Sequence, residues 1–153
     1  MDIGSKHGYP ASALSNFAPH PFEFDGVQCS SMEGWLQSLK FSNPEMQRHV
    51  CTLVGLAAKR AGRNKNWQRT QTLHWQGVTF ERDSADYQTL LDRAYDALFQ
   101  QSDSFRRALN ASGNAVLTHS IGRTNPKETV LTQSEFCGRL MRIREGWKNE
   151  GCR

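Results

Sequence analysis

Between residues 31 and 41 two rows of side chains run along one short helical pattern. Met32, Trp35, Leu36 and Leu39 recur at helical spacing and make a single apolar stripe. Glu33, Gln37 and Lys40 stand at i, i+4 and i+7 and make a second stripe directly beside the buried one. An acid, an amide and an amine are thereby stacked along one strip. A carboxylate and an amine held close on a rigid element can move protons or attack an electrophilic carbon. The same spacing also describes a surface helix with a solvated polar side, or a Glu33 that closes a capping box with Ser30. Spacing alone leaves these readings open.

The rest of the chain supplies short elements around this helix. The first dozen residues are rich in Gly, Ser and Pro and read as loop. Residues 21–29 read as a β-hairpin about an Asp25-Gly26 turn. Asn43-Pro44 ends the Glu33 helix and opens another, with Met46, Val50, Leu53 and Val54 as its apolar side. Residues 73–82 hold aromatic and β-branched side chains about Gly77 and can supply a strand. Residues 86–100 place Tyr87, Leu90, Leu91, Ala94 and Leu98 in helical register, and a further helix covers 105–109, capped near Ser102. Residues 115–118 form a short apolar run that reads as a strand. Thr132-x-x-Glu135 is a capping-box signature before a last helix, in which Phe136, Leu140, Ile143 and Trp147 repeat. The expected fold is α+β: one compact, mainly helical domain over residues 1–153 with a small antiparallel sheet. Residues 1–13 and 148–153 are expected to be loose.

Several function classes are disfavoured. No apolar run approaches the roughly 18 residues of a membrane span, so no membrane partner is expected. Met1-Asp2-Ile3-Gly4-Ser5-Lys6 does not resemble a signal peptide, and cytoplasmic residence is the expectation. The cysteines at 29, 51, 137 and 152 include no Cys-x-x-Cys pair and no accompanying His pair, so neither a metal site nor a disulfide framework is expected. Cys51 and Cys137 read as small core residues. There is no phosphate-binding Gly-x-x-x-x-Gly-Lys loop. His119 follows the run at 115–118 and has an imidazole's capacity for proton transfer, yet no Ser-His-Asp set accompanies it.

Charge points toward an anionic partner. The formal charge is +4 and the sequence pI about 9.0, which suits nucleic acid or a phosphate-bearing ligand. Lys59, Arg60, Arg63, Lys65 and Arg69 cluster around Trp67. Cations neutralise phosphate and an indole can stack on a base. For Trp67, a core position is an equally good reading. Ser15-Asn16-Phe17 lies in a loop, where short polar side chains and free amides can grip a ribose or phosphate.

Taken in order, these pieces resemble a known family. Leu14-Ser15-Asn16-Phe17-Ala18-Pro19 is followed by Asp25-Gly26 and then by Ser-x-Glu-x-x-x-Gln-x-x-Lys-Phe at 31–41. Next come Ala57-Ala58-Lys59-Arg60-Ala61-Gly62-Arg63 and, late in the chain, Gly138-Arg139-Leu140-Met141-Arg142-Ile143-Arg144. The set resembles the NADAR family, also called YbiA-like, over residues 14–147. The resemblance implies a compact YbiA-like fold and an enzyme that hydrolyses N-glycosidic bonds without a cofactor. Some members remove ADP-ribose from guanine in nucleic acid, and others are implicated in hydrolysing an aminopyrimidine ribosyl phosphate of the riboflavin pathway. The positive charge favours ADP-ribosylated guanine in DNA or RNA, with a cognate ADP-ribosyltransferase as a further partner.

The resemblance implies Glu33 and Lys40 as the catalytic pair. The accompanying binding set is Ser15, Asn16, Phe17, Gln37, Arg60, Arg63, Trp67 and His119. Lys40 has two open roles: attack on the anomeric carbon of an opened ribose, or a charged grip on a diphosphate. Two departures stand out. Gly34 occupies a position where many members have His, and the Asp-x-x-Trp-Gly-x-Gly stretch of many bacterial members is replaced by residues 119–129. A non-catalytic reader of ADP-ribose or nucleic acid is the contrasting expectation.

Overall fold

Ser31 starts the helix that carries the Glu33 pattern. Its hydroxyl accepts from Gly34 N at 3.1 Å and donates to Leu53 O at 3.0 Å, so the cap also ties the helix start to the chain beyond the next helix. The computed structural model describes residues 1–150; residues 151–153, part of the tail expected to be loose, lie outside the described residues. In chain order the elements are α1 Ala11–Leu14, β1 Phe22–Phe24, β2 Val27–Cys29, α2 Met32–Ser38, α3 Pro44–Cys51, α4 Gly55–Ala61 and α5 Asn66–Thr70. They continue with β3 Thr72–Trp75, β4 Val78–Glu81, α6 Ala85–Gln101, α7 Asp103–Ala111 and α8 Gln133–Asn149.

The fold is α+β and mainly helical, as expected. The β structure is divided between two separate antiparallel hairpins, β1-β2 and β3-β4. Each turns on a dipeptide with positive φ: Asp25-Gly26 at 49° and 80°, Gln76-Gly77 at 52° and 80°. The stretch 73–82 therefore holds two strands and not one. Residues 115–118, expected as a strand, contribute only an isolated parallel bridge, Asp2 to Thr118.

The core gathers around α2. Met32, Trp35, Leu36 and Leu39 are all buried, as their spacing requires. Trp35 meets Phe24 and Trp75 with ring centroids 5.5 and 5.8 Å apart, and the Trp75 indole donates to Asp25 at 2.9 Å. α6 and α8 close the other side through Tyr87, Leu90, Leu91, Tyr95, Phe136 and Leu140. The Thr132-Glu135 capping box is formed, and Ser102 caps α7.

Three expectations need correction. Met46 is 44% exposed, and α3 turns Gln47, Val50 and Cys51 inward instead. Three carbonyls demand the Gln47 amide: it donates to Ser38 O, Phe41 O and His74 O at 3.3, 2.9 and 2.8 Å. Trp67 is a core residue and not an exposed stacking platform, being 4% exposed in the main apolar cluster. Residues 1–13 are held and not loose. The terminal ammonium donates to Val116 O at 2.8 Å, Thr118 N to Met1 O at 2.9 Å, and Ile3 N to Thr118 O at 2.7 Å, with Ile3 fully buried.

Candidate functional site

A cavity of about 780 Å³ opens over α2, with Glu33, Leu36 and Gln37 on its wall. The Ser15–Phe17 loop, residues 4–7, residues 119 and 121–123, residues 129–131, Leu56 and Lys59 of α4, and Phe136 of α8 complete it. Of the sequence-derived set, the structure brings Ser15, Asn16, Phe17, Glu33, Gln37 and His119 together here.

The polar stripe of α2 is not solvated, because α4 docks on it. Gln37 is 8% exposed, and its amide rests on Gly62, where a Cβ would stand 1.8 Å from Gln37 Oε1. Any larger residue there would force the Gln37 side chain to move. The Gln37 amide donates to Glu33 Oε1 at 2.9 Å, while its own Oε1 is buried with no protein partner. Gly34 is explained the same way. A Cβ there would meet Leu53 O at 2.6 Å and Val50 O at 2.9 Å, so the end of α3 fills the space a larger side chain would need.

Among the described residues Glu33 is the sole carboxylate on a wall that also carries Lys6, His7, Lys59, His119 and Arg123. It keeps part of its surface open to the cavity, but the packing around it desolvates the carboxyl. Burial pushes its pKa up, against the Gln37 amide and the charges of Lys40, Lys59 and His119, which pull it down. The backbone beneath it is fixed: Glu33 N donates to Asn16 O at 3.0 Å. Glu33 takes no part in a capping box; Ser31, not Ser30, caps the helix, and the Glu33 carboxylate faces Gln37.

The Asn16 side chain is set by Tyr95, whose hydroxyl donates to Asn16 Oδ1 at 2.8 Å. That leaves the Asn16 Nδ2 group free to donate into the cavity. Tyr95 comes from α6, 79 residues away, and carries no sequence signal beyond its apolar register. Ser15 shapes the loop by accepting from Phe17 N at 3.2 Å.

Lys40, Arg60, Arg63 and Trp67 do not line the cavity. The Lys40 ammonium donates to Gly62 O at 2.6 Å, on the far side of Gln37. Its burial lowers its pKa, while Glu33 raises it. In this arrangement Lys40 positions: it clamps α4 to α2 and places a charge behind Glu33. Arg60 and Arg63 are exposed beyond the cavity, and Trp67 is packed in the core. The cation that enters from the basic stretch is Lys59, one residue earlier on α4. Lys6, His7 and Arg123 join it from segments with no motif. Among the described residues no group of three or more His, Cys, Asp or Glu stands together as a metal site, and no helix is long and apolar enough to cross a membrane.

Comparison with known proteins agrees with this architecture. The model of the family described as bacteriophage protein GP30.3 matches residues 8–145. The chain is 43% identical, over 95% of its length and 97% of the relative, to an uncharacterized 17.1 kDa protein from the gp30–rIII intergenic region of enterobacteria phage T4. Among solved structures it is similar to the NMR structure of YbiA from E. coli, with a TM-score of 0.64 and 22% identity. That match covers 99% of this chain and 86% of the other. The fold is YbiA-like.

Proposed function

This chain belongs to the bacteriophage GP30.3 family, and we propose that it is a metal-independent N-glycosidic hydrolase of the NADAR type, releasing ADP-ribose from ADP-ribosylated guanine in DNA or RNA. The observation that carries the reading is Glu33. It is a half-enclosed carboxylate, hydrogen-bonded by Gln37, on a cavity wall whose other charged groups, among the described residues, are all cations or imidazoles. A pure anion-binding surface gains nothing from a buried acid. A reaction in which positive charge develops at a sugar carbon does gain from one.

Glycosidic cleavage makes that demand. As the carbon–nitrogen bond breaks, its electron pair leaves with the base and the anomeric carbon becomes oxocarbenium-like. Glu33 stabilises that carbon and takes a proton from the attacking water. Lys6, Lys59 and Arg123 are suited to the diphosphate of ADP-ribose. Asn16 Nδ2 and the Ser15–Phe17 loop are suited to ribose hydroxyls. Arg60 and Arg63, exposed beyond the cavity on the side of Lys59, supply contacts for the nucleic-acid strand outside it. Lys40 serves by holding α4 and by keeping charge behind Glu33. Attack by its amine on an opened ribose requires that it first leave Gly62.

The test is incubation with an ADP-ribosylated guanine oligonucleotide and, in parallel, with an aminopyrimidine ribosyl phosphate. Release of free ADP-ribose from the first supports the proposal. Turnover of the second alone moves the function to the small metabolite. Tight binding with no release makes the protein a reader. A borohydride-trapped adduct at Lys40 would replace water by the amine as the attacking group.

A further inference from the structure

The N-terminal segment and the chain around His119 form a device with an unusual amount of support for a surface loop. Asp2 holds the residues on both sides of the histidine. Its carboxylate accepts from Thr118 Oγ1 at 3.0 Å, from Ser120 N at 2.8 Å and from Ser120 Oγ at 2.6 Å. Ile3 N is tied to Thr118 O at 2.7 Å, which brings the Ile3 carbonyl against the imidazole. His119 Nδ1 lies 2.8 Å from Ile3 O, and the ring stands edge-on to Phe136 with centroids 5.2 Å apart.

A carbonyl oxygen only accepts, so Nδ1 carries the proton in the neutral ring. Nε2 then has a free lone pair, no protein partner, and a position on the cavity wall that also holds Glu33. When the ring is cationic, Nε2 becomes the one N–H not committed to the protein. On giving up that proton it returns to the tautomer that Ile3 already fixes, with no ring rotation.

We infer that His119 is the general acid that protonates the departing base. This rests on the N-glycosidase reading above. A nucleobase nitrogen is a poor leaving group as an anion, so a proton must arrive as the bond breaks. The balance is complete. The carbon–nitrogen bond breaks with its pair on the base nitrogen, which takes the Nε2 proton. Water oxygen bonds to the anomeric carbon, and its proton goes to Glu33. Glu33 then gives its proton to solvent and His119 recovers one from solvent, which returns both groups to their starting states. Segment 1–3 is then a positioning element for the acid.

The experiment compares His119→Asn and His119→Ala with the wild type on ADP-ribosylated guanine oligonucleotide. Asparagine keeps a donor for Ile3 O but has no Nε2 proton, so a merely structural role survives in it. The expected result is a fall in kcat of about 10²-fold or more in both variants, with KM changed by only a few-fold. Added imidazole is expected to restore turnover to His119→Ala. Turnover retained in His119→Asn, a loss confined to KM, or a folded His119→Ala that imidazole does not rescue would each overturn the inference. If Glu33→Gln is inactive while His119→Asn is active, this inference alone fails. A wild type that turns over neither this oligonucleotide nor the aminopyrimidine ribosyl phosphate removes the N-glycosidase reading, and this inference with it.

Discussion

Arg82 is a full-length cation buried at 2% exposure, and replacing it by Met has a calculable cost. Its guanidinium holds Glu135 with both ends, at 3.1 and 2.7 Å, and its Nε donates to Thr129 O at 2.9 Å. It also stacks 5.0 Å over Tyr87, whose hydroxyl donates to Val130 O at 2.6 Å. One side chain thus pins the end of β4, the cavity wall at 129–131 and the start of α8. Methionine fills most of the volume but leaves Glu135 with only the Thr132 N–H and the Gln88 amide. Stranding one member of a buried pair costs about 3–5 kcal/mol. For a domain of this size, at about 2–4 °C per kcal/mol, Tm should fall by roughly 6–20 °C. The pH dependence carries the sign. In the native protein burial raises the Glu135 pKa, but Arg82, Thr132 and Gln88 outweigh it and hold it below its usual value. Its stabilisation is therefore present above the unfolded value near 4.5 and is lost as pH falls through the lower folded value. In Arg82→Met the lowering supplied by Arg82 is gone, so the folded value rises and the gap to wild type should widen from acid to neutral pH. Adding Glu135→Gln should recover part of the loss. Thermal unfolding followed by circular dichroism at pH 4 and 7 measures all three. A loss under about 1 kcal/mol at pH 7, the scale of an exposed pair, would refute the reasoning.

Glu33→Gln should raise Tm at neutral pH. The folded pKa of Glu33 lies above the unfolded 4.5, so its ionisation removes stability as pH rises through that window, and the amide is exempt. The two proteins should converge near pH 4, and a Gln variant that melts below wild type at pH 7 would contradict the burial argument. Trp67→Ala should cost about 3–5 kcal/mol of unfolding free energy, as a core indole does; a loss of nucleic-acid affinity at unchanged stability would restore the stacking role. Arg60→Glu with Arg63→Glu should weaken oligonucleotide binding and flatten its salt dependence, each lost phosphate contact lowering the slope by roughly one. An unchanged slope would locate the strand elsewhere.

What was legible in the sequence is what a single element decides for itself. The α2 stripe could be read because burying one face of a helix forces the period that Met32, Trp35, Leu36 and Leu39 display. The turn at Asp25-Gly26 and the Thr132 cap are likewise local chemistry, whereas the Gln76-Gly77 turn, which lacks the Asn or Asp that marks such a turn, was read through as one strand. The site needed more. Whether Glu33 and Gln37 are solvated depends on Gly62 docking, and which cation of 59–63 enters the cavity depends on the phase at which α4 lands. That choice fell on Lys59 and left Arg60 and Arg63 outside. Lys40, on the right stripe, was taken up by the Gly62 carbonyl. Tyr95 acts on Asn16 across 79 residues, and Asp2 reaches Ser120 across 118, so neither leaves a trace in spacing. Met46 failed for a related reason: the inward place went to Gln47, which three carbonyls from other segments required.

The central claim is that Glu33 does chemistry on a glycosidic bond. Its most direct test is the rate of ADP-ribose release from an ADP-ribosylated guanine oligonucleotide by wild type and Glu33→Gln, both verified as folded. The expected result is release by the wild type and a loss of about 10²-fold or more in the variant, with oligonucleotide binding retained. Turnover left intact in Glu33→Gln, or a wild type that binds the oligonucleotide and releases nothing, would contradict it.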